Sequence, residues 1–532
     1  MKNMYNQKLS TIKSSIQTFP SINRNLFPVI LGLIGASIII LSTSRFNVGV
    51  TSDSVAYISA ARNIASGRGM TSMIGSPITA EPPLYPIVLA VVNYVFKIDP
   101  LLSVRFINAL LFGLIIYLSG LLFTMHLKSS PVLVLLGTVY VLVSRSLVDI
   151  SLYAWTEALF VCFVLLYILF SEKYIEKRDT TSLVLLSLFT SLASLTRYIG
   201  IVLIPVGVIY ILFFNQDNLA IKIRHFFLFG SISILPITAY FIRNYILSGS
   251  LMSYNPMPFG ENTFYEGVSN IYHMANTMFD NVLSWFIPKR IVVRPFFIMS
   301  LIFVIGFIVF LAYKGNSKKL SNLLPIYPIL LFVAAYTGSL LLILGIHNHI
   351  EDRYLSPIFV PTILVLLILA EKLMKPLLGR LFPKYANILF VAVMVVGLVY
   401  PTYAMIQRTV YQMETGSGYT SETWNNSETI QYLLHHQSLE SECAIYTNSK
   451  DAIFLLTGLK TKSSPRNELK GGASDISVLE GAWPLESNIC LVWFDNITWR
   501  DYLFSPEELM LIVNVEGTTQ LQDGTIYYFS KK

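Results

Sequence analysis

The segment Ser52–Pro86 reads SDSVAYISAARNIASGRGMTSMIGSPITAEPPLYP. It follows the first apolar run and is the first place where charge stands beside glycine and proline. Asp53 sits at its head, about one helical turn before Tyr57, and Glu81-Pro82-Pro83 closes it. A carboxylate held by a short helix at a membrane surface needs a reason beyond packing. A helix starting here could use Asp53 as its N-cap, because Asp accepts bonds from free amides. The other reading is chemistry, and the rest of the chain bears on the choice.

Around this segment the composition is that of an integral membrane protein. Of 532 residues, 54% are hydrophobic and 13% charged, with a mean hydropathy of +0.60. A soluble domain carries about 25% charged residues. Residues 1–25 are polar and basic, and the apolar run 26–41 is followed by Ser42-Thr43-Ser44 without a cleavage-site pattern. A retained first span with a cytoplasmic N-terminus is therefore expected. The net charge of +7 lies mostly in short loops between apolar runs, where the positive-inside rule places Lys and Arg. No nucleic-acid partner is expected.

A spanning helix needs about 20 apolar residues. Spans are expected at 26–41, 105–127, 132–143, 155–170, 182–195, 198–214, 226–245, 295–313, 323–346, 354–370 and 388–405, about eleven in all. The run 84–96 is shorter and broken by Pro86, so it reads as a surface or half-embedded helix. Counting it as a span would turn the densest basic loops outward. The aromatic-rich stretch 247–292 reads as an outside lid. From Gln407 the charge disperses, and apolar stretches recur at 444–446, 490–494, 509–515 and 525–529. The last two are joined through Asp523-Gly524, a hairpin signal, while 427–434 and 450–457 look helical. The expected organisation is a cytoplasmic N-terminus (1–25), a membrane domain (26–406) and a small α/β domain outside the cytoplasm (407–532). Cys443 and Cys490 lie in that domain and could pair if it is exported. Cys162 reads as core.

This topology gathers Asp53, Glu81, Arg105, Asp149, Glu157, Arg197, Arg243, Asn244, Glu351 and Arg353 on one face, several at the ends of spans. Ionisable residues at that depth are costly and mark function. Arginine grips phosphate bidentately, and a carboxylate is a natural base for a sugar hydroxyl. The collection suits a reaction on a phosphate attached to a lipid. The spacing His347-x-His349-x-Glu351-Asp352 matches no closed metal site and reads as a polar loop. Asn425-x-Ser427 and Asn496-x-Thr498 match the glycosylation acceptor pattern, which is common by chance.

Several short stretches recur in a fixed order. They are Ser52-Asp53-x-x-x-Tyr57 with Gly67-x-Gly69, Pro82-Pro83-Leu84-Tyr85-Pro86, Arg105-Phe106-x-Asn108, Thr156-Glu157, Leu195-Thr196-Arg197, Arg243-Asn244 and Arg353-Tyr354-Leu355-x-Pro357. In these, from residue 26 to about 370, the chain resembles the polyprenyl-phosphate-dependent glycosyltransferases of the GT-C fold. It resembles in particular the branch that holds the protein O-mannosyltransferases and the lipid A aminoarabinose transferase. The resemblance implies an all-α polytopic fold of the plasma membrane. Asp53 becomes the catalytic base of an inverting single displacement, and Glu157 a positioning acid. Tyr57, Glu81, Tyr85, Arg105, Arg197, Arg243, Asn244, Arg353 and Tyr354 become candidates for holding substrate. The implied donor is a polyprenyl-phosphate-linked sugar, and the acceptor is a lipid, glycan or protein outside the cytoplasm, met among membrane lipids. No cofactor is implied with certainty, and a divalent metal is left open. One departure is Glu81-Pro82-Pro83, since the family often carries a lysine near this turn. The rival reading, a transporter or flippase for a lipid-linked or anionic substrate, expects mid-membrane sites on repeated, broken helices. Here the charges sit at span ends and no repeat is evident.

Overall fold

A computed structural model describes residues 26–128, 130–214, 217–252, 275, 277–288, 327–347, 351–467, 475–479 and 481–532. The apolar runs form helices. In chain order these are α1 (Leu26–Ser42), α2 (Ser52–Ala65), α3 (Leu84–Phe96), α4 (Pro100–His126), α5 (Pro131–Leu142), α6 (Arg145–Leu152), α7 (Glu157–Lys177), α8 (Thr180–Thr196) and α9 (Leu203–Ile209). They continue with α10 (Leu219–Ser248), α11 (Tyr327–His347), α12 (Ser356–Leu369), α13 (Lys375–Leu381) and α14 (Ala386–Thr415).

Among the described residues, 5 helices are long and apolar enough to cross a membrane, or up to 6 if the bent pair α5–α6 is one span. The chain is thus a multi-pass membrane protein. Each expected span coincides with an apolar helix except 295–313, which lies outside the described residues. Several of these helices are short, including α1 and α8 at 17 residues each, so a count of eleven is not established. The lid expected over 247–292 also falls largely outside the described residues.

Close helix packing explains where the core sits. α1 lies on α4 with glycine facing glycine. A Cβ on Gly32 would come within 2.7 Å of the Gly113 carbonyl oxygen, and one on Gly113 within 2.8 Å of the Gly32 oxygen. Small residues that let backbones touch are how helices associate in lipid, where burial of apolar surface gives no advantage. The core continues through Phe112, Phe123, Phe160 and Tyr167, all fully buried. α3 buries Tyr85, Leu89 and Ala90 and exposes Val91, Tyr94, Val95 and Phe96. The helix is thus buried on one side and bare on the other.

The composition change at Gln407 falls inside α14, which runs on to Thr415. Beyond it a strap returns to the membrane bundle. Val50 and Gly418 form a bridge, the Tyr419 amide donates to the Val50 carbonyl at 2.8 Å, and the Thr420 hydroxyl donates to the Val48 carbonyl at 2.7 Å. The polar remainder forms α15 (Glu428–His435), α16 (Lys450–Thr457) and strands β1 (Ala444–Thr447), β2 (Lys462–Ser463), β3 (Asn488–Phe494), β4 (Val513–Leu521) and β5 (Gly524–Lys531). Their order is β2-β1-β3-β5-β4. β1 pairs parallel with β2 and β3, and the β4–β5 hairpin adds antiparallel. The expected stretch 509–515 straddles two elements. Pro506–Leu509 is a helical turn with Ser505 and Glu508 as a capping box, and the strand begins at Val513. Cys443 and Cys490 are joined in a disulfide, while Cys162 is free and buried.

Candidate active site

The segment after α1 folds so that Thr51, not Asp53, precedes the first helical residue of α2. The Thr51 amide donates to Ser54 Oγ at 3.1 Å. The Asp53 carboxylate is thus left for another partner, and Arg353 Nη2 donates to its Oδ2 at 3.1 Å. The Asp53 side chain remains 43% exposed.

Arg353 is the centre of the cluster and is only 12% exposed. It stands in a short 3-10 turn, Asp352–Leu355, that precedes α12. Besides Asp53 it meets Glu351, with Nε 2.5 Å from Oε2, and Glu157, with Nε 3.6 Å from Oε1. Its buried Nε–H still makes no aligned hydrogen bond. The guanidinium lies 4.5 Å from the Trp155 ring centroid and 5.3 Å from that of Tyr354. Trp155 is fixed in turn, because its Nε1–H donates to Thr51 Oγ1 at 3.0 Å.

Glu157 opens α7 and is 1% exposed. Arg197, at the end of α8, donates from Nη1 to Glu157 Oε1 and to Thr156 Oγ1 at 3.0 Å. Its guanidinium also lies 5.5 Å from the Tyr354 ring. One buried carboxylate therefore holds two guanidiniums, from elements 156 residues apart in sequence (353 − 197). A charge so deep persists only when paired and hydrogen-bonded.

A second acid lies within reach of the Asp53 charge. The Tyr57 hydroxyl donates to Glu81 Oε2 at 3.0 Å, and the Tyr57 and Tyr85 rings meet edge to face at 5.5 Å. Burial pushes the Glu81 carboxyl above its usual range, the neighbouring Asp53 charge pushes it the same way, and the Tyr57 bond opposes them. Burial, followed by Glu81, raises Tyr57 well above a free phenol, so it stays a donor. The fully buried Tyr85 hydroxyl has no hydrogen-bond partner.

Three of the expected substrate residues lie elsewhere. Arg243 donates to the carbonyls of Ile78 at 2.9 Å and Met70 at 3.3 Å, and to Asn244 Oδ1 at 2.9 Å. Asn244 donates to the carbonyls of Thr79 at 3.0 Å and Leu251 at 3.1 Å. With Tyr240, whose hydroxyl donates to the Glu81 carbonyl at 2.8 Å, they hold the loop that carries Glu81. Arg105 on α4 lies over Phe106, with a centroid distance of 5.0 Å, and its Nε–H is buried without a partner.

Trp155, Thr156 and Glu351 complete the cluster but were not singled out from the sequence as binding residues. Their signal was adjacency, since Trp155-Thr156 directly precedes Glu157 and Glu351 stands two residues before Arg353. Among the described residues no group of three or more His, Cys, Asp and Glu could hold a metal ion. His349, in the polar loop 347–352, lies outside them. Asp53, Glu81 and Glu157 are each engaged with an arginine or a tyrosine.

Residues 80–242 match the family model described as dolichyl-phosphate-mannose-protein mannosyltransferase. No curated protein sequence matches the chain significantly. The crystal structure of ArnT from Cupriavidus metallidurans in the apo state superposes with a TM-score of 0.56 at 12% identity, covering 94% of this chain and 97% of that one. The same values hold for ArnT from that organism bound to undecaprenyl phosphate. The Saccharomyces cerevisiae protein O-mannosyltransferase Pmt1-Pmt2 complex bound to the sugar donor matches over 45% of this chain and 35% of that one, with 19% identity and a TM-score of 0.34. The chain has the GT-C fold of the polyprenyl-phosphate-dependent glycosyltransferases, as the resemblance in sequence implied.

Proposed function

We propose that this protein is an inverting membrane glycosyltransferase that moves a monosaccharide from a polyprenyl phosphate to an acceptor outside the cytoplasm. The observation that carries this reading is Asp53, a half-exposed carboxylate bonded to Arg353, which with Arg197 shares the buried Glu157. Asp53 removes the proton from the acceptor hydroxyl. That oxygen forms the new bond to the anomeric carbon, the bond from this carbon to the phosphate oxygen breaks, and polyprenyl phosphate leaves with the electron pair. The configuration inverts because a single displacement occurs.

Arg353 and Arg197 receive the phosphate. Arg353 is shared by Asp53, Glu351 and Glu157, so a phosphate oxygen reaching it competes with Asp53. Donor binding thus loosens the Asp53–Arg353 contact and leaves the base free for the acceptor. Glu157 positions both arginines rather than touching sugar. The binding of undecaprenyl phosphate by ArnT, a protein of the same fold, supports the choice of donor class.

The test is sugar transfer from labelled polyprenyl-phosphate sugars by the purified full chain. Asp53→Asn is expected to lower the transfer rate about 10²–10⁴-fold, the usual worth of a general base, while undecaprenyl phosphate still binds. Unchanged transfer by this variant removes Asp53 from the role.

A further inference from the structure

Between the membrane bundle and the sheet domain lies a cavity of about 1400 Å³. Ordinary small-molecule pockets occupy about 300–1,000 Å³, so this one has room for several sugar rings. Trp155, Glu351 and Arg353 lie in its lining, so it borders the cluster around Asp53, which Arg353 bonds directly. α6 and α14 form one wall, and the loops around Trp424 and Trp499 of the sheet domain form the other.

The charges of the lining nearly balance, with Arg145, Arg353 and Arg408 facing Asp149, Glu351, Asp352 and Asp523. Most of them are already engaged. Asp149 is bound by Arg408 and lies 3.5 Å from Arg145 Nε. Asp523 accepts from Ser427 and Thr429. A lining of this kind does not select a polyanion. It offers planar donor and acceptor edges beside flat apolar faces.

Trp499 shows the second property most clearly. The residue is 60% exposed, although the side chain of the next residue, Arg500, pairs with Asp451 at 3.3 Å, both side chains being near 10% exposure. Trp424 is held edge to face between Tyr419, at 5.4 Å, and Phe494, at 5.0 Å. An exposed indole ring with polar groups alongside matches a pyranose ring, which has an apolar C–H face and a rim of hydroxyls.

We propose that this cavity is the acceptor site and that the acceptor presents a carbohydrate to it, stacked on Trp499. The inference rests on the glycosyltransferase reading for its role, and not for the binding itself. The test is saturation-transfer NMR on the full chain in lipid nanodiscs, with cellotetraose, mannotetraose, chitotetraose and an unstructured Ser/Thr peptide as probes. At least one tetrasaccharide is expected to bind wild type, Trp499→Ala to weaken it at least tenfold, and Trp499→Phe to restore most of it. Undecaprenyl phosphate affinity is expected to stay unchanged in both variants. No tetrasaccharide binding, binding indifferent to Trp499→Ala, or binding of the peptide alone overturns the proposal. Failure of undecaprenyl phosphate to bind wild type would instead count against the transferase reading.

Discussion

At the level of single residues the site is a contest for two arginines. Glu157 holds both from a fully buried position. Glu157→Gln leaves them without their shared counter-charge, and breaking a buried pair costs about 3–5 kcal/mol. A clear drop in melting temperature is expected in detergent, together with weaker donor binding. Arg353→Ala removes the proposed phosphate donor and is expected to lower undecaprenyl phosphate affinity roughly tenfold or more, the worth of a charge-assisted hydrogen bond. A normal affinity by calorimetry takes Arg353 out of the donor site. Glu81 gives a pH prediction. Its carboxyl is raised above the ordinary 4.5 by burial and by Asp53, so the folded state holds that proton more tightly than the unfolded chain does. The contribution is fully present below the unfolded value and is lost as pH rises through the folded one. Glu81→Gln is expected to flatten the fall in melting temperature over that window, and an unchanged slope contradicts the assignment. Asp53, Glu157, Arg197 and Arg353 were legible in the sequence because polar residues at span ends have few cheap explanations. Arg243 and Asn244 looked alike in sequence, yet their bonds go to backbone carbonyls of a loop some 165 residues earlier, and a contact of that range leaves no local signature.

At the level of elements, Asp53 is placed by the strap at residues 416–421. Tyr419 reaches Ser52 with its hydroxyl, the two oxygens being 3.1 Å apart, and its amide bonds Val50 just before α2. Gly418 is required there for two reasons. Its φ is +59°, and a Cβ would stand 2.2 Å from the Val50 carbonyl oxygen. A side chain can accept neither without moving the strap. Gly418→Ala is expected to slow transfer with little change in undecaprenyl phosphate affinity, because the arginines lie on other elements. Equal loss of both readouts would mean general unfolding instead. The helices were readable from apolar length, and α3 as a shorter one from its short run. The strap was not. A few polar residues after a long helix read as a linker, and their pairing with residues 48–50 is set by tertiary contact alone. The start of β4 was missed for a similar reason. Residues 509–515 are apolar throughout their first half, but Ser505-Pro506-Glu507-Glu508 is a helix-start signature that claims Leu509 for a turn.

At the level of the whole molecule, the sheet domain caps the membrane face and supplies one wall of the cavity, so its compartment decides whether the proposed reaction is coherent. The Cys443–Cys490 disulfide joins the start of β1 to β3 and spans 47 residues. A loop of that length restrains the unfolded chain by about 4 kcal/mol in the chain-entropy description. Disulfides persist in oxidising compartments and are rare in the cytosol. The bond therefore supports a domain outside the cytoplasm, on the side where the lipid-linked donor would be used. Of the 3 cysteines, only the buried Cys162 is free. Denaturing the protein from freshly lysed membranes in a thiol-reactive maleimide, without reductant, is expected to label one cysteine per chain. Three labels would put the sheet domain in a reducing compartment and undo the proposed orientation. The double variant Cys443→Ser/Cys490→Ser is expected to make the sheet domain more sensitive to limited proteolysis while the membrane bundle resists. Because this domain holds the strap on α2, the same variant should lose transfer before it loses undecaprenyl phosphate binding. That order distinguishes a domain that positions the base and acceptor from one that only shields the bundle, for which both activities would survive together.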